Sequence, residues 1–273
     1  PKEAAEYVYI KNAFHNEFLA FIVGWVILIS EIVGAATLAI GFSNYFHALF
    51  GVNVTIVSMA VVALFSFLNF YGIQESARTN ILFTLIELSG LLMVIVLGLP
   101  YAKNVNLMEL THGAKGVLVA SSFIFFAYIG FEDIVNLAEE TKKPRKTIPL
   151  ALILSLVITT LIYVLTSVSV LGLSGWEELS ESEAPLAFAV SKVLGSSAFT
   201  ILGIIALFAT ANTLLILLIV SSRMLYGMAN EGSLPRVFAK IHPKRRTPYL
   251  AILTTMVFVC LFTLVRRIEF VAN

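Results

Sequence analysis

Three carboxylate side chains lie within long apolar runs of the sequence. Glu31 lies in ILISEIVGAATLAIG, Glu87 lies in LFTLIELSGLLMV, and Glu132 follows a glycine in FFAYIGFED. A charged side chain at the centre of a bilayer is costly unless it faces protein or water, so these positions are candidate functional sites. The chemistry that such isolated carboxyl groups could perform is the loading and release of protons.

Two interpretations of Glu87 stay open. A proton carrier must change its charge within the working pH range, whereas a structural carboxyl is kept neutral by desolvation. The structural interpretation needs only one local hydrogen-bond partner, and for that reason we favour it slightly.

Gly130 is a weak point in the apolar run that contains Glu132. Glycine within a helix costs about 1 kcal/mol relative to alanine. Unwound backbone at membrane depth is tolerated where it lines a cavity or is buried in protein, and it then offers free N–H and C=O groups. Gly130 alone would be best explained as a helix-packing residue. The adjacent Glu132 favours a binding role.

The polar stretch ATANT interrupts another apolar run with Asn212 and Thr213. Hydrogen bonds from such side chains join helices in membranes with an average strength of about 0.6 kcal/mol. The same side chains could equally line a pathway, and their spacing does not decide between these two roles.

The composition places all these residues in an integral membrane protein. Charged residues make up 13% of the 273 residues and hydrophobic residues 59%, with a mean hydropathy of +0.92. Soluble domains carry about 25% charged residues, so a soluble globular enzyme is excluded. The net charge of +1 gives no indication of a nucleic-acid partner. We expect a lipid bilayer as a partner, no cofactor and no metal.

The apolar runs predict an all-α fold within a single transmembrane domain over 1–273. A bilayer-spanning helix needs roughly 20 apolar residues. Seven stretches reach that length: 18–43, 54–73, 80–99, 117–138, 149–172, 198–229 and 249–267.

The basic residues predict the orientation of these spans. Lys and Arg concentrate in cytoplasmic loops. Pooling alternate connections assigns 13 of the 18 basic residues to the side of the N-terminus: Lys2, Lys11, Arg78, Lys142, Lys143, Arg145, Lys146, Arg223, Arg236, Lys240, Lys244, Arg245 and Arg246. We therefore expect a multi-pass protein of the cell membrane whose N-terminal end is cytoplasmic and whose acidic 174–185 loop is outside.

Three segments resemble the amino acid–polyamine–organocation (APC) family of permeases. The run GFEDIVNLAEETKKPRKTIPLAL, at 130–152, is similar to that family's signature. A second similar run, at 211–253, carries Ser-Arg-x-x-Tyr-x-Met-Ala and Gly-x-Leu-Pro before His-Pro and Thr-Pro. The opening at 5–25 resembles the entry to the family's third helix, although Asn16 replaces the more usual glycine.

This resemblance implies a partial leucine-transporter fold, in which two five-helix repeats are inverted relative to each other. The seven spans would correspond to the family's third to ninth helices, so we expect the chain to be a fragment that lacks the first, second, tenth and later helices. The implied function is secondary transport of an amino acid or related amine by alternating access, coupled to protons or by exchange, with no enzymatic activity.

The resemblance also assigns roles to residues around the expected break. By position in the motif, the substrate-binding and gating residues would be Phe125, Phe126, Tyr128, Ile129, Gly130, Phe131 and Glu132. Proton-coupled relatives often carry a lysine near the position of Glu87, and a glutamate there reverses the charge. We therefore name Glu87 and Glu31 only as candidate coupling groups, and Asn212 and Thr213 as candidate pathway residues.

Two other classes of membrane protein remain as alternatives, a channel and a seven-helix receptor. A receptor of that kind would have an external N-terminus, opposite to the predicted orientation. A membrane hydrolase would need a nucleophile with a base or a cluster of metal ligands. All four histidines lie in loops or near span ends, and we interpret them as surface residues: His15, His47, His112 and His242.

Overall fold

The computed structural model describes residues 5–106, 113–128, 130–131, 134–135, 141–182 and 184–272, and in these ranges the ordered elements are helices. In chain order they are α1 (Ala5–Phe14), α2 (Glu17–Phe50), α3 (Val54–Tyr71), α4 (Ile73–Gly98), α5 (Gly113–Phe126), α6 (Pro144–Ser180), α7 (Pro185–Leu194), α8 (Ser197–Asn230) and α9 (Tyr249–Ala272). Short 3₁₀ helices cover Leu99–Asn104 and Arg236–Ala239. The predicted all-α membrane fold is confirmed.

Five of the described helical segments are long and apolar enough to cross a membrane: α2, α3, α4 with the following 3₁₀ turn, α6 and α8. Two of the seven predicted spans correspond to shorter apolar helices, Gly113–Phe125 and Tyr249–Val265. Of the predicted span 117–138, residues 117–126 lie in α5, and several of the later residues lie outside the part of the chain that the structure describes.

Local sequence signals set the ends of the first long helices. The Asn16 side chain accepts a hydrogen bond from the Leu19 N–H at 3.0 Å and so caps the start of α2. Gly51, with φ of 71°, ends α2, and the Asn53 side chain accepts from the Thr55 N–H at 2.9 Å to start α3. Asparagine is a preferred N-cap because its oxygen replaces a missing helix acceptor. Asn16, which departs from the family pattern, therefore has a structural role.

The chain, expected to be one domain, divides into two compact units. The first comprises 1–87, 135–141 and 203–273. In this unit α2 packs against α1, α3 and α9, and α3 also packs against α9. Small side chains on α2 and larger aliphatic ones on α8 contribute to one core: Ala35, Ala36, Ala39, Leu214, Leu215 and Leu218. Small residues let membrane helices approach closely.

The second unit comprises 88–134 and 142–202. Here α6 packs against α7 and against the 3₁₀ helix that follows α4. A Cβ added at Gly98 would lie 2.5 Å from the Ser169 carbonyl oxygen, and one added at Gly172 would lie 2.7 Å from the Tyr101 carbonyl oxygen. Both glycines therefore permit contact between backbones that any side chain would prevent.

Candidate functional site

A ladder of hydrogen-bonded side chains connects α4 with α8 inside the first unit. Asn80, Thr84 and Glu87 lie at spacings of four and three residues, so they project from one face of α4. The Asn80 Nδ2 donates to the Asn212 Oδ1 at 2.7 Å, and the Asn212 Nδ2 donates to the Thr84 Oγ1 at 3.0 Å. The Glu87 carboxyl, one turn further along the same face, interacts with the Asn212 side chain as well.

Asn212 is the central member of this polar ladder. Its side chain is buried, with 6% of the residue exposed, and its amide contacts three polar groups of α4. The amide therefore supplies the local partner that a carboxyl needs within a membrane-length helix. Such an arrangement can hold Glu87 in one rotamer. Glu87 is the only titratable member of the ladder, and its partner Asn212 does not titrate.

Two other candidate polar residues, Thr213 of α8 and Glu31 of α2, are not members of this polar ladder. Thr213 is exposed, and its hydroxyl donates to the Ala209 carbonyl of its own helix at 3.2 Å. Of the ATANT pair, Asn212 thus belongs to the ladder, whereas the Thr213 hydroxyl is bonded within α8. Glu31 lies half-buried in the middle of α2.

The segment around Gly130 interrupts the helical structure in the second unit. Helix α5 ends at Phe126, and Gly130 has φ of 101°, a backbone conformation that favours glycine. The Tyr163 hydroxyl donates to the Ala127 carbonyl at 3.1 Å, and the hydroxyls of Tyr128 and Thr160 are 2.9 Å apart. Side chains of α6 therefore fix the segment that leads to Gly130.

Aromatic side chains surround this interruption. The rings of Tyr128 and Tyr163 meet edge to face with centroids 5.6 Å apart. Phe125 and Phe131 are exposed, by 67% and 46%. Ile129, Glu132 and the side chain of Phe126 lie outside the described residues, so their assigned roles stay predictions.

A second buried polar cluster, formed by Asn69, Ser222 and Arg223, was missed by the sequence analysis. The Asn69 Nδ2 donates to the Leu218 carbonyl at 3.3 Å and to the Ser222 Oγ at 3.1 Å. The Arg223 Nη1 donates to the Asn69 Oδ1 at 3.5 Å, and Arg223 is only 1% exposed. The cluster therefore joins α3 to α8 through a buried cation.

The position of Arg223 corrects the charge count. The sequence analysis counted Arg223 with the basic residues of the cytoplasmic connections, and the structure places it within α8, where it is buried. The sequence contains a signal for this burial, since Arg223 follows Ser221 and Ser222 in an otherwise apolar run. A charge at such a position indicates a buried partner rather than a loop.

The described histidines make local contacts. The His47 Nδ1 lies 2.9 Å from the Val52 carbonyl oxygen. The His242 Nδ1 accepts from the Arg245 N–H at 3.2 Å, and its ring contacts Phe70. Among the residues that the structure describes, no group of three or more His, Cys, Asp or Glu could hold a metal ion. His112 lies outside them.

Long apolar helices with polar clusters buried between them define the class of this protein as a helical integral membrane protein. Comparison with known proteins identifies the family. The amino acid permease family model matches residues 1–271, and the chain belongs to that family.

Individual relatives differ in the substrates that their names give. The chain is 30% identical over 254 residues to a methylthioribose transporter of Bacillus subtilis, a match that covers 86% of this chain and 55% of the relative. It is 27% identical to a branched-chain amino acid permease of the same species, covering 86% and 56%. It is 26% identical to cationic amino acid transporter 1 of Arabidopsis thaliana, covering 100% and 49%. The chain thus spans about half the length of these relatives.

Proposed function

We propose that the permease containing this chain carries an amino acid or a related amine across a membrane by alternating access, driven by protons or by exchange. The observation that carries this proposal is the polar ladder of Asn80, Thr84, Glu87 and Asn212 inside membrane-length helices of an amino acid permease. Polar networks at membrane depth are costly to maintain and usually serve ions or substrates.

The substrate-contacting segment in this proposal is the interruption around Gly130. Its backbone leaves the α-helix after Phe126, which is typical of the interrupted helices at transporter binding sites. The Ala127 carbonyl accepts from the Tyr163 hydroxyl, so α6 holds the start of this segment in place. The candidate binding and gating side chains of this segment remain those of the motif: Phe125, Phe126, Tyr128, Ile129, Phe131 and Glu132.

For Glu87 we favour a structural role. Asn212 provides the single hydrogen-bond partner that a neutral carboxyl requires, and the ladder continues to Thr84 and Asn80. The second candidate role, proton coupling, is favoured by one observation: Glu87 is the one titratable member of the ladder. Glutamine separates these roles because it preserves the shape and hydrogen bonding of a neutral carboxyl but releases no proton.

The test measures uptake of radiolabelled leucine, arginine and methylthioribose into vesicles that contain the full-length permease, with and without a pH gradient. For a structural Glu87, we expect Glu87→Gln to leave pH-driven accumulation nearly unchanged. Glu87→Leu should lower the folded yield because it removes a partner of Asn212. Glu75→Gln, the same change in the first turn of α4, is the matched control.

Two outcomes would contradict parts of this proposal. Loss of pH-driven accumulation in Glu87→Gln, at normal protein yield, would make Glu87 the coupling group. Saturable uptake of none of the three substrates by well-folded protein, together with unsaturable ion flux, would favour a channel.

We also propose that the N-terminal end of this chain is cytoplasmic and that the protein lies in the cell membrane. Without Arg223, the predicted cytoplasmic connections still hold 12 basic residues against 5 on the other side. Single cysteines at Ser180 and Thr141, in a background without Cys260 and other native cysteines, test the orientation with an impermeant thiol reagent applied to whole cells. Ser180→Cys should be labelled from outside and Thr141→Cys only after lysis. Labelling of both from one face would contradict the topology.

A further inference from the structure

An apolar groove of about 540 Å³ lies within the first unit, between α2, α9 and the segment that joins α8 to α9. Trp25 and Ile29 contribute from α2, Phe258 and Leu261 from α9, and Phe238 from the connecting segment. The volume falls within the roughly 300–1,000 Å³ range of sites for small ligands. The groove is therefore large enough for a defined ligand.

The groove has a buried floor and an exposed rim. Leu28 and Ile32 of the floor are 2% and 3% exposed, whereas Trp25 and Phe258 of the rim are 41% and 45% exposed. The side chains of these four residues are apolar, so the groove favours an apolar ligand. Hydrocarbon meets that requirement, and it is the solvent of a membrane protein at this depth.

Positive charges lie beside one end of this groove. The segment between α8 and α9 carries five basic residues and no acidic residue from Ser233 to Pro248. Two of them, Arg236 and Lys240, are exposed and flank Phe238, which lines the groove. Because the segment follows a membrane-length helix, these charges lie at the membrane surface, where phospholipid headgroups are found.

We propose that this groove is a binding site for an anionic glycerophospholipid, with one acyl chain in the apolar groove and the headgroup phosphate on Arg236 and Lys240. Burial of methylene groups supplies affinity, and the two cations supply selectivity for an anionic headgroup. A neutral zwitterionic lipid would fill the groove equally well but would gain less from the two basic side chains. Charge therefore distinguishes a specific site from ordinary contact with the bilayer.

The test uses phosphatidylglycerol and phosphatidylcholine that carry the same photoreactive diazirine on one acyl chain, each at the same low fraction in phosphatidylcholine vesicles that contain the full-length permease. After illumination, mass spectrometry measures lipid attached to peptides that contain Trp25–Ile32 and Phe258–Val265. We expect phosphatidylglycerol to label these peptides more than phosphatidylcholine, by roughly fivefold for each basic residue that contacts the headgroup.

Substitutions assign the preference to the two cations. Arg236→Gln with Lys240→Gln should reduce the labelling ratio to about one while leaving labelling by phosphatidylcholine unchanged. Arg145→Gln with Lys146→Gln removes the same charge from the exposed first turn of α6 and should keep the preference. Equal labelling by the two lipids in the unchanged protein would overturn the proposal, since the groove would then hold any bilayer lipid. Labelling of neither peptide would overturn it as well, because another part of the permease would then cover the groove.

Discussion

The two compact units of this chain bury their long helices to different degrees. Helix α2, in the first unit, has 28% of its most apolar stretch buried, whereas α6, in the second, has 6%. The first unit also contains both buried polar clusters, around Asn69 and around Asn212. The second is held by close backbone contacts at Gly98 and Gly172.

This difference indicates two ways of fixing helices where the hydrophobic effect between them is weak. In lipid, apolar side chains gain little by leaving one hydrocarbon environment for another, so packing and hydrogen bonds decide which helices associate. In the first unit, side-chain hydrogen bonds join helices that also share a core of small and aliphatic residues. The second uses glycines that bring backbones together, and it leaves most of α6 available to lipid or to other helices.

The strongest test of this comparison is Gly130→Leu, in the second unit. A side chain at φ of 101° is strained, so the substitution should alter the backbone of the segment that we propose contacts the substrate. We expect uptake to be abolished in the full-length permease while the protein still inserts into the membrane. Gly41→Leu, where an added Cβ meets nothing within 4 Å, should keep uptake and serves as the control. Normal uptake by Gly130→Leu would reduce Gly130 to a packing residue.

A smaller but specific effect is expected for Gly98→Ala. Gly98 has φ of −93°, which alanine can adopt, so only the contact with the Ser169 backbone opposes the substitution. Overpacking of this kind costs about 1–3 kcal/mol. Thermal unfolding in lipid nanodiscs measures the loss, and Gly41→Ala is the matched control that should lose nothing. If both variants unfold at the same temperature, close backbone contact does not stabilise the second unit.

The corresponding test of the first unit is Asn69→Leu. It removes the two bonds that Asn69 donates and one acceptor of the buried Arg223. Hydrogen bonds between membrane helices average about 0.6 kcal/mol each, so we expect a loss of roughly 1–2 kcal/mol. A double-mutant cycle with Ser222→Ala isolates the bond between the two side chains. A coupling energy of zero would mean that the cluster fills space without joining α3 to α8.

The smallest effect is expected at the junction of α1 with the first unit. The Lys11 Nζ lies 3.1 Å from the Glu17 Oε1 and 3.9 Å from the Glu231 Oε2. The hydrogen bond with Glu17 raises the pKa of Lys11 above its usual 10.5. The stabilisation is therefore complete at neutral pH and is lost as the pH rises through that raised pKa.

Lys11→Gln measures this contribution. Because Lys11 and Glu17 are partly exposed, the variant should lose at most about 0.5 kcal/mol at neutral pH, and less at high salt. Above the raised pKa of Lys11, the variant and the unchanged protein should unfold at the same temperature. A difference between them that persists at alkaline pH would have to come from packing of the lysine stem.

The sequence predicted the helices more successfully than the contacts between them. Long apolar runs indicate membrane helices without any knowledge of their partners, and five of the described helical segments are long and apolar enough to cross a membrane. The short helix α7 was missed because ten residues are too few for a span. Helix α2 continues beyond its predicted end at 43 to Phe50, because the chain contains no strong stop signal before Gly51.

The polar ladder shows why the rest could not be predicted. Asn80 and Asn212 are 132 positions apart, and no local pattern specifies that they meet. Asn212 and Thr213 are neighbours of similar polarity, yet packing buries the first and exposes the second. Whether a polar residue in an apolar run forms a ladder or faces outward depends on the rotation of its helix, which is a property of the assembled core.

The backbone contacts at Gly98 and Gly172 have a genetic consequence. Every missense change of a glycine codon introduces a side chain with at least a Cβ atom, and in both places that atom would lie less than 3 Å from a carbonyl oxygen. No conservative replacement exists at such a position, whereas leucine, isoleucine and valine can exchange along the exposed surface of α6 with little penalty. Populations that carry this gene should therefore accumulate variation along that surface and almost none at these two codons.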